Sequence, residues 1–145
     1  MPTISGVSHI DLTVTDLAAS ERWYAQLFDA VRVLEGRNDD HHFQSRYLLE
    51  PNSLLLIGLV QHDETAAPTF DEHRGGLDHL AFNVDDREGL DAWMTRLDDL
   101  GIDHDLNEGE LWDVVVVRDP DNIQLEFFLM KADPASFIAT AETVV

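Results

Sequence analysis

Cysteine is absent from the 145-residue chain, and lysine occurs once, at Lys131. The first absence removes disulfide frameworks, thiol nucleophiles and thiolate metal sites together. The second leaves eight arginines as the other cations, against 29 Asp+Glu, for a formal net charge of −20. A surface of that sign is repelled by phosphate backbones and anionic lipid, which argues against nucleic-acid and membrane-surface roles. No apolar run approaches the roughly 20 residues that span a bilayer, and the N-terminus has no basic-then-apolar signal, so a cytoplasmic protein is expected. The excess acid reads as a solvated surface or as adaptation to high salt, where the screening length falls to about 3 Å at 1 M.

Hydrophobic residues make up 44 % of the chain, enough for a core and against wholesale disorder. The length suits one compact domain, or two small modules sharing a core. An internal repeat favours the second arrangement. Shifting the chain by 70 residues pairs His9 with His79, Val14 with Val84, Asp16 with Asp86, Trp23 with Trp93 and Leu27 with Leu97. Further on, Pro51-Asn52-Ser53 matches Pro120-Asp121-Asn122 with a one-residue slip. The repeats run over about 4–62 and 76–130, within one domain covering 1–145 that ends in a short tail after Asp133.

Each repeat opens with an alternating strand, 7–15 and 77–84. An acidic helix start follows, Asp16 in one and Asp85 or Asp86 in the other. The second helix spaces Leu90, Trp93, Met94, Leu97 and Leu100 along one face, and Gly101 is placed to end it. The first is shorter, with Trp23, Leu27, Tyr24 and Phe28 forming i,i+4 pairs. Three more strands complete each repeat: 31–36, 43–49 and 53–60, then 103–106, 111–118 and 123–130. The expected fold is α+β, with βαβββ occurring twice.

Residues i and i+2 of a strand share a face, so the apolar sets locate the polar ones. Ile10, Leu12 and Val14 leave His9, Asp11 and Thr13 opposite; Leu80, Phe82 and Val84 leave His79, Ala81 and Asn83. Ile123, Leu125, Phe127 and Leu129 leave Gln124, Glu126 and Phe128. The polar faces can curl into a cup lined by His9, His79 and Glu126. Two imidazoles and a carboxylate on rigid strands, with positions left open, suit a catalytic divalent metal. Taken singly, each residue also reads as an ordinary hydrogen-bonding or solvated side chain. The equivalent repeat positions of the histidines and the matching parity of the glutamate favour the joint reading. His41, His42, His62 and His73 read as solvated loop residues, and His104 as an exposed strand residue.

At these residues the sequence resembles the vicinal oxygen chelate superfamily, which includes glyoxalase I, bleomycin-resistance proteins, extradiol dioxygenases and fosfomycin-resistance enzymes. The motifs that carry the resemblance are Ser8-His9-Ile10 before Val14-Thr15-Asp16, Gly76-Leu77-Asp78-His79-Leu80-Ala81-Phe82, and Asp119-Pro120-Asp121-Asn122-Ile123-Gln124-Leu125-Glu126. The resemblance covers roughly 4–130 and implies paired βαβββ modules forming a cupped, partly open barrel-like sheet, often within a homodimer. It implies one divalent ion per site, Fe(II), Mn(II), Ni(II) or Zn(II), held by His9, His79 and Glu126. That ligand set is the one used by extradiol dioxygenases and fosfomycin-resistance enzymes. By the Pro51/Pro120 alignment a fourth ligand would fall at Ile57, where none is available, and the tyrosine usual in extradiol enzymes falls at Val116. Ile57 and Val116 are therefore expected in a partly apolar pocket, with Asp11, Asn83 and Gln124 as its polar contacts. The leading expectation is extradiol-dioxygenase-like chemistry on a small substrate with vicinal oxygens. The alternatives are a glyoxalase-like lyase or isomerase and a non-catalytic small-molecule binding protein.

Overall fold

The computed structural model of the chain describes residues 6–64 and 69–133. The tail after Asp133 and part of the polar loop between the repeats lie outside the described residues. The elements run β1 (Ile10–Thr13), α1 (Leu17–Phe28), β2 (Val31–Asn38), β3 (Phe43–Leu49), β4 (Leu56–His62), β5 (Leu80–Asn83), α2 (Arg87–Leu100), β6 (His104–Glu108), β7 (Trp112–Arg118) and β8 (Gln124–Met130). This is βαβββ twice, as the repeat predicts. The strands form two four-stranded sheets, ordered β1-β4-β3-β2 and β5-β8-β7-β6, neither of them closed. Each is mixed: β1 lies parallel to β4 and β5 parallel to β8, while the remaining pairs are antiparallel. Two compact units result, 1–70 with 119–122 and 71–118 with 123–145.

In the first unit one sheet face is packed by α1. Leu12, Ile57, Leu59 and Leu48 are buried there with Leu17, Tyr24, Leu27 and Phe28 of the helix. Asp16 caps α1 by accepting from the backbone N–H groups of Ala18 and Ala19. Asp29, in a left-handed conformation at φ 47, ends it. The 119–122 turn is tied into this unit: Asp119 Oδ2 accepts from the buried Tyr24 hydroxyl at 2.9 Å, and Asp121 accepts from the backbone N–H and hydroxyl of Thr15. Burial first, and then the Asp119 carboxylate, holds the Tyr24 proton well above the usual phenol range.

In the second unit Leu125, Phe127, Val115 and Val117 are buried with Leu90 and Leu97 of α2. Trp93 stacks on Phe127 with ring centroids 4.0 Å apart. Asp86 is the cap, accepting from the Gly89 N–H, and Gly101 ends the helix at φ 66. Where β7 begins beside the end of β8, the buried Asp113 carboxylate is met at 2.6 Å by Lys131 Nζ, which also donates to the Gly109 carbonyl at 2.8 Å. The paired cation holds Asp113 below the usual carboxylate range.

The first strand of each unit is shorter than its alternation suggests. Val7, Ser8 and His9 precede the ladder of β1, and Leu77, Asp78 and His79 precede that of β5. Both histidines therefore stand just before a strand begins, on backbone outside the ladder.

Candidate metal and substrate site

Sheet register fixes which side chains share a row on the face away from each helix. In the second unit Glu126 is aligned with Ala81 of β5 on one side and Val116 of β7 on the other. His79 is two residues before Ala81 and shares its parity, so imidazole and carboxylate meet on one face. His79 Nε2 lies 3.5 Å from Glu126 Oε2. The other ring nitrogen, Nδ1, is 2.6 Å from Asp78 Oδ1. Glu126 Oε1 accepts from Gln124 Nε2 at 2.8 Å, and the glutamate side chain is only 12 % exposed.

These contacts suit one tautomer of the imidazole. A hydrogen bond from Nδ1–H to Asp78 puts the imidazole lone pair on Nε2, beside a carboxylate oxygen. Two such acceptors repel unless a cation, either a proton or a metal ion, lies between them. An imidazole tethered through its far nitrogen is the usual arrangement of a metal-ligating histidine. The donor chemistry of His79 and Glu126 therefore fits a divalent ion.

The first unit repeats the device. Ser8 Oγ and His9 Nδ1 are 2.8 Å apart, so His9 is likewise held by the residue before it, leaving Nε2 available. Its row differs. Asp11 is aligned with Gly58 of β4, which is aligned with Tyr47 of β3. A Cβ on Gly58 would stand 2.0 Å from Asp11 Oδ1 and 2.8 Å from Tyr47 Cε1. Asp11 thus lies over a position that only glycine leaves open, with the Tyr47 hydroxyl 3.4 Å from its Oδ2. Desolvation and then the Asp11 charge hold the Tyr47 proton above the usual phenol range. The Tyr47 ring also meets His9 edge-on at 6.5 Å between centroids.

Ile57 departs from the sequence-based expectation. It is aligned with Ile10, on the helix-covered face, and is 3 % exposed. The alignment anchored on the prolines misplaced it by one residue. The turn after Pro51 reaches its left-handed residue at Leu54 (φ 61), three positions on, whereas the turn after Pro120 reaches Asn122 (φ 68) in two. Four residues beyond each stand Gly58 and Glu126, so the counterpart of the glutamate is glycine. Val116 is half-buried beside Glu126, and Asn83 is exposed at the end of β5. Sequence reasoning passed over Ser8, Asp78, Tyr47 and Gly58. A usable signal existed for the first two, which stand immediately before the repeated histidines. Among the described residues, Asp71, Glu72 and His73 also bring donor atoms within 4.8 Å of one another. Arg118 already holds Glu72 there, at 2.7 Å.

Residues 6–127 match the model of the Glyoxalase/Bleomycin resistance protein/Dioxygenase superfamily. The chain belongs to this superfamily. A glyoxylase/bleomycin resistance protein/dioxygenase domain from Frankia sp. EAN1pec is 38 % identical, with a TM-score of 0.80 over 89 % of this chain and 94 % of that one. Fosfomycin resistance proteins share the superfamily fold at lower identity. FosX from Listeria monocytogenes, crystallised with Mn(II) and sulfate, is 22 % identical with a TM-score of 0.63, over 94 % of this chain and 99 % of that one. FosX from Mesorhizobium loti is 22 % identical, with a TM-score of 0.62 and the same coverage. Among curated proteins none matches significantly. No helix among the described residues is long and apolar enough to cross a membrane.

Proposed function

We propose that this superfamily member is a divalent-metal-dependent enzyme acting on a small substrate that offers two neighbouring oxygens. The observation that carries the reading is the His79–Glu126 pair, 3.5 Å apart with the far imidazole nitrogen tethered to Asp78. In this reading His79 and Glu126 are ligands, and His9, tethered in the same way, is the third. Fe(II), Mn(II), Ni(II) and Zn(II) all suit imidazole and carboxylate donors. When bound, the ion polarises substrate oxygens and stabilises negative charge developing on them. The chain's own residues do the rest. Asp78 orients His79, and Gln124 holds one oxygen of Glu126 so that the other points to the imidazole. Ala81 and Val116 keep the flanking row small and apolar, which leaves room for substrate. Asn83 and Asp11 offer polar contacts.

Extradiol-type dioxygenation is the leading reaction class, because a two-histidine, one-carboxylate set leaves positions for substrate and dioxygen. One observation favours the lyase or isomerase alternative. Asp11 and Tyr47, hydrogen-bonded beside His9, form a pair able to carry a proton, a role that Ile57 cannot fill. A homodimer belongs to the same reading and is supported by β2, a sheet edge on which Val31, Val33 and Leu34 are exposed. Light scattering on the eluted peak checks it.

Elemental analysis of the wild type against His79→Ala and Glu126→Ala, singly and combined, tests the centre. Bound Mn(II) is expected to fall severalfold in each variant and to vanish from this centre in the pair; undiminished content overturns the site. Oxygen uptake with catechols after anaerobic Fe(II) loading identifies the dioxygenase, and hemithioacetal turnover with Ni(II) or Zn(II) the isomerase. Stoichiometric ligand binding that survives chelation identifies a binding protein.

A further inference from the structure

Three of the chain's seven histidines stand around one cavity of the first unit. About 420 Å³ opens between the β2–β3 turn and the end of β4, lined by His41, His42, His62, Asp63 and Glu64. Among the described residues, each one lining it carries a side chain that ligates metals, and imidazole is the majority donor. The backbone beneath them is stapled. The His42 carbonyl accepts from the Asp63 N–H at 2.9 Å, Asn38 Oδ1 accepts from the His41 N–H at 2.9 Å, and Phe43 is aligned with His62. His42 itself sits in the left-handed region at φ 55, within the turn between β2 and β3.

Asp63 is committed elsewhere, because both its oxygens meet the Arg37 guanidinium, at 2.9 and 2.6 Å. The arginine thereby anchors the cavity wall and occupies one of its two carboxylates. The location is independent of His9. Leu56 is adjacent to Ile57, the partner of Ile10, and His62 is six residues further along β4, roughly 20 Å at strand rise.

We infer that this cavity is a second divalent-metal site, with His41, His42 and His62 as nitrogen donors and Glu64 as the oxygen donor. Its ion is one that prefers imidazole, namely Zn(II), Ni(II) or Cu(II), rather than Mg(II) or Ca(II). The formal charge of −20 raises the local concentration of any such cation. The donors surround the cavity without yet converging, so binding draws exposed side chains inward. This makes the site weaker than one whose histidines are tethered beforehand.

The experiment uses the untagged full chain, with Zn(II) content measured after equilibrium dialysis and Cu(II) spectra by electron paramagnetic resonance. Wild type is expected to hold one more equivalent of Zn(II) than His42→Gln/His62→Gln. In a His79→Gln/Glu126→Gln background that equivalent persists, and Cu(II) bound there shows imidazole nitrogen couplings, which disappear when the cavity histidines are also replaced. All the replaced cavity residues are exposed, and circular dichroism confirms that each variant folds. Zn(II) content indifferent to His42→Gln/His62→Gln overturns the inference. So does an equivalent lost on Asp71→Asn/His73→Gln instead. If only His79→Gln/Glu126→Gln removes metal, the first centre stands and this one falls; if only the cavity variant removes it, the reverse holds.

Discussion

Gly58 marks one chemical difference between the two halves of the chain. Its counterpart is Glu126, yet a single methyl group at 58 would intrude to 2.0 Å from the Asp11 carboxylate. Gly58→Ala is therefore expected to destabilise by about 1–3 kcal/mol, the usual cost of overpacking. Asp11→Ala/Gly58→Ala is expected to recover much of that, a coupling on the order of 1 kcal/mol. Urea unfolding of the four proteins in the cycle measures it, and strictly additive costs would contradict an Asp11 side chain lying over residue 58. At this scale the sequence was legible in part. Alternation alone puts His79 and Glu126 on one face, and the structure brings them within 3.5 Å. Ile57 was misread because a turn's length is set by which residue adopts positive φ, and Leu54 gives no sign of doing so. Tyr47 was invisible for a different reason, since its neighbours are fixed by cross-strand register, which no local pattern encodes.

Elements were the most readable level. Both helices begin where an aspartate can accept from free N–H groups, and the second ends at the glycine that the periodicity marks. The two caps are unequal, however. Asp16 accepts from two backbone N–H groups and Asp86 from one. Asp16→Ala is expected to cost about 1 kcal/mol, with a fall in melting temperature of about 2–4 °C, and Asp86→Ala less. Thermal unfolding followed by circular dichroism ranks them, and the reverse order would show that the second acceptor contact of Asp16 adds nothing. Strand edges were less legible: the alternation of 7–15 and 77–84 continues past the residues that have ladder partners, Ile10–Thr13 and Leu80–Asn83. The histidines owe their position to that mismatch. They keep strand parity while standing outside the hydrogen-bonded ladder, where an imidazole can be approached.

Over the whole molecule, charge arithmetic decides how solution conditions act. With 29 acids and 9 basic residues, at least 20 acids have no cation of their own. Exposed ion pairs such as Arg87 with Asp91 are worth little, so self-repulsion dominates. Raising NaCl from 10 mM to 1 M at neutral pH is expected to raise the melting temperature; a fall would show that ion pairs outweigh repulsion. Acid acts oppositely on particular pairs. Arg118 holds the Glu72 carboxyl at about 2, from an ordinary 4.5. Unfolded chains then take up protons first as pH falls. The stability this pair contributes is complete above about pH 4.5 and lost as pH drops through about 2. Glu72→Gln should show a weaker dependence than wild type in that window, measured by urea midpoints at successive pH values; identical slopes would remove Glu72 from the account.

The single lysine is exposed, yet its amine is held by Asp113 and the Gly109 carbonyl. An acylating ester or an aldehyde therefore finds one lysine side chain, and its contact with the buried Asp113 carboxylate is expected to slow that amine's reaction. The rate at which Lys131 is acylated becomes a clock for the opening of the β7–β8 end. It can be read by mass spectrometry from the mass added at Lys131, with no residue substituted.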